Sequence, residues 1–277
     1  MATHGDDNRT YTATAAEYTE ACARFRRLHE PGHLLILPNA WDVTSARALM
    51  QAGFNAIGTT SLATAFGAGV EDGTGQTRDQ TIDLARQLGR LKALVTVDIE
   101  SGFSERDDEV AAVVRELAEA GIVGCNIEDG TSTGKLVPAD RQIEKIRACR
   151  EADADIFINA RIDTYWVGSA EGDAAANEVL ERARRYVDAG ADGIFIPALA
   201  DAAQIRAYCK EIPAPVNVLY SPAGLTVAEL NDAGAARLST GSFLFRHAIS
   251  GAVEAVREIV GGALPGAEVP AYGEFLG

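Results

Sequence analysis

Cysteine and histidine are both scarce, with four of each in 277 residues. Cys22, Cys125, Cys149 and Cys209 form no Cys-x-x-Cys pair, and none sits beside a histidine or in a glycine-rich turn. Scattered thiols of this kind fit a reducing cytosol and small buried side chains rather than a disulfide framework or a nucleophile. His29, His33 and His247 have no ligand spacing, and His4 lies in the N-terminal tail, so none is expected to act in catalysis or hold zinc. Positive charge is also short. Against 40 acidic residues stand 25 lysines and arginines, a formal charge of -15. That balance argues against nucleic acid or an anionic membrane as partner. A small anionic substrate stays open, given a local cationic device. No apolar run approaches the roughly 18 residues that span a bilayer. The opening MATHGDDNRT has no basic segment leading into an apolar one, so it is expected not to be a signal peptide and the protein to be cytoplasmic.

What is present is a repeated phrase. QAGFNAI (51–57), EAGIVGCNI (119–127) and DAGADGIFI (188–196) each end a helix at Ala-Gly and run into a short apolar strand, with DAGAARLST (232–240) as a weaker copy. Glycine supplies the left-handed helix terminus, and joints of this kind indicate βα units on a parallel sheet. The pattern predicts eight strands, near 33–39, 55–60, 93–100, 123–129, 155–163, 193–198, 216–220 and 236–241. Between them, Val110, Val113, Val114 and Leu117 form one helical stripe, and Val179, Leu180, Ala183, Tyr186 and Val187 another. Thr77 with Gln80 and Thr226 with Glu229 read as capping boxes. One α/β domain over 1–277 is expected, a (β/α)8 TIM barrel with an extra N-terminal helix before Pro31 and a flexible start to the segment 1–22. A doubly wound open sheet is the alternative, but no Gly-x-Gly-x-x-Gly follows the first strand.

In such a barrel the active site lies at the C-terminal strand ends, and polar residues collect there. The first strand runs into Asn39, Trp41 and Asp42, the second into Thr59, Thr60 and Ser61, and the third into Asp98 and Glu100. The fourth ends in Asn126, Glu128 and Asp129, the fifth in Asn159, Arg161 and Asp163, and the seventh in Asn217 and Tyr220. Asp98 and Glu100, two apart on a strand, should share a face and repel one another. A divalent cation would relieve that repulsion, held by Asp98 and Glu100 with Glu128, and an oxygen-only set favours Mg2+ or Mn2+. Arg161 would receive a substrate carboxylate or phosphonate. Each residue has a plainer reading too. The two acids can be a salt-bridged strand end, Arg161 can merely neutralise Glu128, and Trp41 can be a packing aromatic. The Thr60-Ser61 backbone N–H groups can hold an oxyanion or belong to an ordinary polar loop.

DIESGF (98–103), IED (127–129), NAR (159–161) and LPNAWDVTSARALMQAGFNAIGTTS (37–61) together resemble the phosphoenolpyruvate mutase/isocitrate lyase superfamily over about residues 33–250. Glu100 stands where relatives carry a second Asp, and Asp72 in GAGVEDG matches an acid that orders metal-bound water. The resemblance implies a Mg2+-dependent lyase cleaving a C–C bond in a small 2-oxo or 2-hydroxy (di)carboxylate through an enolate. Asp98 would be the direct ligand, with Glu100, Glu128 and Asp72 around it. The substrate would meet Thr60, Ser61 and Asp98, stack on Trp41, contact Asn217 and place its distal anion on Arg161. Relatives are often dimers of dimers that exchange their last helix, which makes GAVEAVREIV (251–260) a candidate swapped element and a homotetramer the expected assembly. The departures matter as well. The loop DGTSTGKLVPAD (129–140) lacks the Lys-Arg-Cys-Gly-His of isocitrate and methylisocitrate lyases, and Gly130 replaces the lysine of phosphomutases. Lys135 is the only loop cation, a candidate phosphoryl contact should the chemistry be P–C cleavage instead. A non-catalytic acid-binding barrel is the third alternative.

Overall fold

The computed structural model describes residues 14–30, 32–263 and 269–270. The start of the 1–22 segment and His4 therefore lie outside the described residues. The chain opens with helix α1 (Ala15–Arg27), capped by a Thr14–Glu17 box. Strand segments β1 (Leu35–Leu37) and β2 (Asn39–Ala40) are one crossing interrupted at Pro38, which has no N–H to give a ladder. There follow α2 (Val43–Gln51), β3 (Ala56–Thr59), α3 (Ser61–Ala68), α4 (Arg78–Leu88), β4 (Leu94–Asp98), α5 (Asp107–Glu119) and β5 (Gly124–Glu128). The second half runs α6 (Ala139–Ala152), β6 (Phe157–Arg161), α7 (Thr164–Val167), α8 (Gly172–Asp188), β7 (Gly193–Ile196), α9 (Ala202–Glu211), β8 (Val216–Leu219), α10 (Val227–Asp232), β9 (Arg237–Ser239) and α11 (Phe243–Val260).

All strand pairs are parallel, and the sheet order is β1-β9-β8-β7-β6-β5-β4-β3-β2. Because β1 and β2 are consecutive pieces of one crossing, that order closes on itself into the expected (β/α)8 barrel. Asn39 helps fasten the seam. Its side-chain oxygen accepts from Thr240 Oγ1 at 3.2 Å and the Gly241 N–H at 2.9 Å, while its Nδ2 donates to the Thr59 carbonyl. Both sequence-read helix stripes face the barrel. Val110, Val113, Val114 and Leu117 are buried, as are Val179, Ala183 and Tyr186, with Leu180 and Val187 packed against the same core. Thr226 forms its capping box with Glu229, but Thr77 makes no side-chain cap. Its hydroxyl is taken elsewhere, as described below. Among the described residues no helix is long and apolar enough to cross a membrane.

Helix α1 plugs the N-terminal end of the barrel with Cys22 and Phe25, which pack on Leu37, Ala56, Leu94, Val123 and Phe157. His29 follows in the same plug, stacked on Phe157 at 4.3 Å with Nδ1 donating to the Phe25 carbonyl at 2.9 Å. Burial, assisted by the nearby charges of Arg237 and Arg26 and opposed by the Phe25 hydrogen bond, pushes its pKa from 6.5 down to about 3. A base whose folded pKa is depressed stabilises the fold above its unfolded pKa and loses that contribution as pH falls towards the folded value. Stability should therefore decline between about pH 6.5 and 3, by about 2–4 kcal/mol from this group. Denaturant melts of wild type and His29→Leu across that window check it: the variant is expected to show the shallower acid slope.

Candidate active site

The C-terminal barrel mouth holds a pocket of about 460 Å3, in the range for a small organic acid. Asp98, Glu128, Asp72 and Arg161 all line it, together with Thr60 and Ser61. Arg161 sits between acids, with Nη1 2.6 Å from Glu128 and Nε 2.7 Å from Asp163. Burial raises the Asp98 pKa to about 6; Arg161 opposes the rise, and Asp72 and Glu100 add to it. Glu128 is pushed well above the usual carboxylate range, again by burial first, with Arg161 opposing and Asp98, Asp163 and Asp72 reinforcing. Burial disfavours the Arg161 charge, yet Glu128, Asp163 and Asp98 outweigh it and hold the guanidinium protonated. One arginine does not neutralise this many acids, and a cation in the pocket would.

Three further features build the mouth. Thr60 caps α3 without a side-chain hydrogen bond to its first turn, and the helix starts at the pocket, with Ser61 and Leu62 in the lining. Such a terminus favours an anion. Asp129 is fully buried and fixes the base of the neighbouring loop. It accepts from Tyr186 Oη at 2.7 Å, Arg182 Nη1 at 3.0 Å and the Asp163 N–H at 2.8 Å. Burial raises its own pKa to about 6, against those hydrogen bonds. The loop itself is a tight turn. The Thr131 N–H donates to the Lys135 carbonyl at 2.9 Å, and Thr131, Ser132 and Gly134 lie over the pocket.

Several sequence expectations are corrected by this geometry. Glu100 does not share a face with Asp98, because β4 ends at Asp98 and Glu100 takes a left-handed φ of 50°. Strand alternation stops where the strand stops. Its carboxylate, 1% exposed, accepts from the Gly75 N–H at 2.8 Å and Thr77 Oγ1 at 2.7 Å. These charged bonds offset the roughly 1 kcal/mol of left-handed strain. Glu100 is thus placed outside the pocket lining, where it fastens the 70–77 loop that carries Asp72. Trp41 is not in the pocket either. It lines a separate apolar groove with Leu244 and His247 and meets Phe245 edge-on at 5.7 Å. Lys135 is exposed and its side chain is not part of the lining. Asn217 is buried inside the barrel, accepting from Ser239 Oγ at 3.2 Å, rather than reaching the pocket.

Other lining residues were overlooked from sequence. Trp166 follows Arg161 by five positions and lies 5.5 Å from its guanidinium, and with Phe195 at 5.8 Å it gives the pocket an aromatic wall. Ser239, Gly241 and Ser242 close the far wall at the end of β9. Gly130 packs so tightly on Asp163 that a Cβ there would collide with the carboxylate. A lysine at 130 would have to displace Asp163 and with it a partner of Arg161.

Among the described residues no three His, Cys, Asp or Glu side chains form a ready-made metal cluster. Mg2+ typically takes one or two protein carboxylates and keeps several waters, and the pocket lining offers carboxylates of that kind. Asp98, Glu128 and Asp72 all face the same pocket.

Comparison with known proteins accords with this geometry. The family model described as phosphoenolpyruvate phosphomutase matches residues 25–260. An uncharacterized protein of Mycobacterium tuberculosis is 42% identical over 251 residues, covering 91% of this chain and 94% of its own length. The 2-methylisocitrate lyase of Halalkalibacterium halodurans is 32% identical over 228 residues, 78% of this chain and 74% of that one. Among solved structures, phosphonopyruvate hydrolase in complex with oxalate and Mg2+ superposes with a TM-score of 0.78 at 23% identity, over 94% of this chain and 93% of that chain.

Proposed function

Because the chain belongs to the phosphoenolpyruvate phosphomutase family, within the phosphoenolpyruvate mutase/isocitrate lyase superfamily, and is an enzyme of that superfamily, we propose that it is a cytosolic Mg2+-dependent lyase. It cleaves a C–C bond in a small 2-oxo or 2-hydroxy dicarboxylate through an enolate. The observation that carries this reading is the convergence of Asp98, Glu128, Asp72 and Arg161 on one pocket. The non-catalytic binder considered from sequence alone is set aside by the family.

Asp98 would hold Mg2+, with Glu128 and Asp72 on the same pocket wall. When bound, Mg2+ supplies Lewis-acid stabilisation of negative charge on the substrate's oxygen. The first-turn N–H groups of α3 receive the carboxylate next to the reacting carbon. Arg161 offers its planar fork to the distal carboxylate, with Trp166 against its guanidinium and Asp163 fixing its Nε. Thr131 and Ser132 lie over the pocket and would limit water access around the enolate. P–C cleavage finds less support. Lys135 is exposed and is not among the lining residues, and a side chain at Gly130 would collide with Asp163.

A screen of 2-oxo and 2-hydroxy acids with Mg2+, reading released 2-oxo acid, tests the proposal. Turnover of a dicarboxylate that disappears with chelator and returns with Mg2+ is the expected result. Conversion of phosphonopyruvate seen by 31P NMR, without turnover of any carbon acid, would overturn it. We also propose that the protein is a homo-oligomer, a dimer or tetramer. No residue of α11 is buried, and Ile249, Val253, Val256 and Val260 leave an apolar stripe along it.

A further inference from the structure

We infer that the side-chain amide of Asn126 is a hydrogen-bond donor to the substrate oxygen, aimed by the buried guanidinium of Arg237. This inference rests on the enolate-forming reading above. Asn126 lies on β5 two residues before Glu128, in register with Asp98 on one side and Asn159 on the other. It lines the pocket and is 5% exposed. Its Oδ1 already accepts from Asn159 Nδ2 at 2.9 Å and from Arg237 Nη2 at 3.3 Å. An amide whose oxygen faces two donors can offer only its NH2 group in the other direction. Turning it over would set N–H against N–H.

Arg237 supplies the reason the orientation is fixed. It is 0% exposed and lies on the interior face of β9. Its Nε donates to Ser239 Oγ at 2.9 Å, which in turn donates to Asn217 Oδ1 at 3.2 Å. Among the described residues it has no ion pair, and its Nη1 has no hydrogen-bond partner. A cation buried without an ion pair is costly. Here it braces a row of amides and hydroxyls in which Asn126 reaches the pocket beside Asp98 and Ser239 reaches its far wall. Its charge also places positive potential beneath an otherwise acidic mouth. The ligand chemistry follows. A neutral donor next to carboxylates suits an oxo or enolate oxygen of a 2-oxo acid, where negative charge grows during C–C cleavage. Asn126 is thus a catalytic residue by contact, and Arg237 a positioning residue that acts through it.

Calorimetric titration of oxalate, a planar mimic of that enolate, into the full-length protein at saturating Mg2+ tests both roles. Asn126→Ala is expected to weaken oxalate about 10- to 100-fold, the loss of one hydrogen bond to a charged acceptor. Arg237→Gln should weaken it less, with Arg237→Lys recovering part of the loss. The Asn126→Ala/Arg237→Gln double variant should bind no more weakly than Asn126→Ala, because Arg237 works through Asn126. Losses that multiply would overturn the positioning role. If Arg237→Gln does not fold, Asn159→Ala removes the other donor and carries the same comparison. Unchanged oxalate affinity in Asn126→Ala overturns the inference alone. No oxalate binding by the unmodified protein overturns the substrate class, and this role with it.

Discussion

Asp98→Asn is expected to cut turnover severely and yet raise the melting temperature of the metal-free protein at neutral pH. The two effects have one cause. Asp98 is a partly buried carboxylate near Asp72, with Glu128 in the same pocket and Arg161, with Arg237 beneath, to offset them. Asparagine keeps the shape and the acceptor for the Glu100 N–H while removing the charge. Relief of that repulsion should contribute about 1–2 kcal/mol, a stabilisation of the kind that active sites forgo for function. The same substitution removes a carboxylate proposed to hold Mg2+, so kcat/KM should fall about 10²- to 10³-fold or more. Thermal melts with and without Mg2+ separate the causes. At a concentration a hundred times the dissociation constant the ion should stabilise wild type by about 2.7 kcal/mol. It should leave Asp98→Asn nearly unmoved. A variant that stays active, or that Mg2+ stabilises as strongly as wild type, would remove Asp98 from the metal site.

The barrel was legible because it is repetitive. Each Ala-Gly joint marks a helix end whose geometry demands glycine, and each following apolar run is a strand covered on both faces. The mouth was legible for the same reason, since polar residues such as Asp98, Glu128 and Arg161 stand at the C-terminal strand ends that form it. The misreadings fall where the repeat stops. Glu100 lies two residues beyond the end of its strand at Asp98, and a left-handed turn sends it to Gly75 and Thr77. No periodic pattern contains that turn. Trp41 and Trp166 both follow strand ends, but Trp41 stands just before α2 and meets α11 while Trp166 rides the short α7 beside Arg161. Which of two such aromatics enters a pocket depends on helix placement, which one strand's sequence does not carry. Asn217 and Arg237 show a related limit. Both sit on interior strand positions, and only three-dimensional stacking reveals that Asn126, not Asn217, is the layer that meets the pocket.

Arg161→Met should be the most destabilising single change at the mouth. It leaves Glu128 and Asp163, now 2.6 and 2.7 Å from the guanidinium, as buried carboxylates without a counter-charge. Breaking a buried pair from one side costs about 3–5 kcal/mol, and denaturant melts measure it. That loss alone would follow even if Arg161 only neutralised Glu128, so a second variant is needed to show a role in recognition. Arg161→Lys keeps the charge but not the planar fork, and it cannot reach Glu128, Asp163 and a ligand together. If Arg161 only balances charge, lysine should restore both stability and kinetics. If it also receives the distal carboxylate, stability should largely return while KM for a 2-oxo dicarboxylate stays raised by about 10-fold or more. Binding of a monocarboxylate, which has no distal anion to lose, should stay near the wild-type value in the same variant. The split between the two substrates distinguishes a ligand-binding arginine from a structural one, because both variants perturb the Glu128 pair but only the dicarboxylate uses the fork.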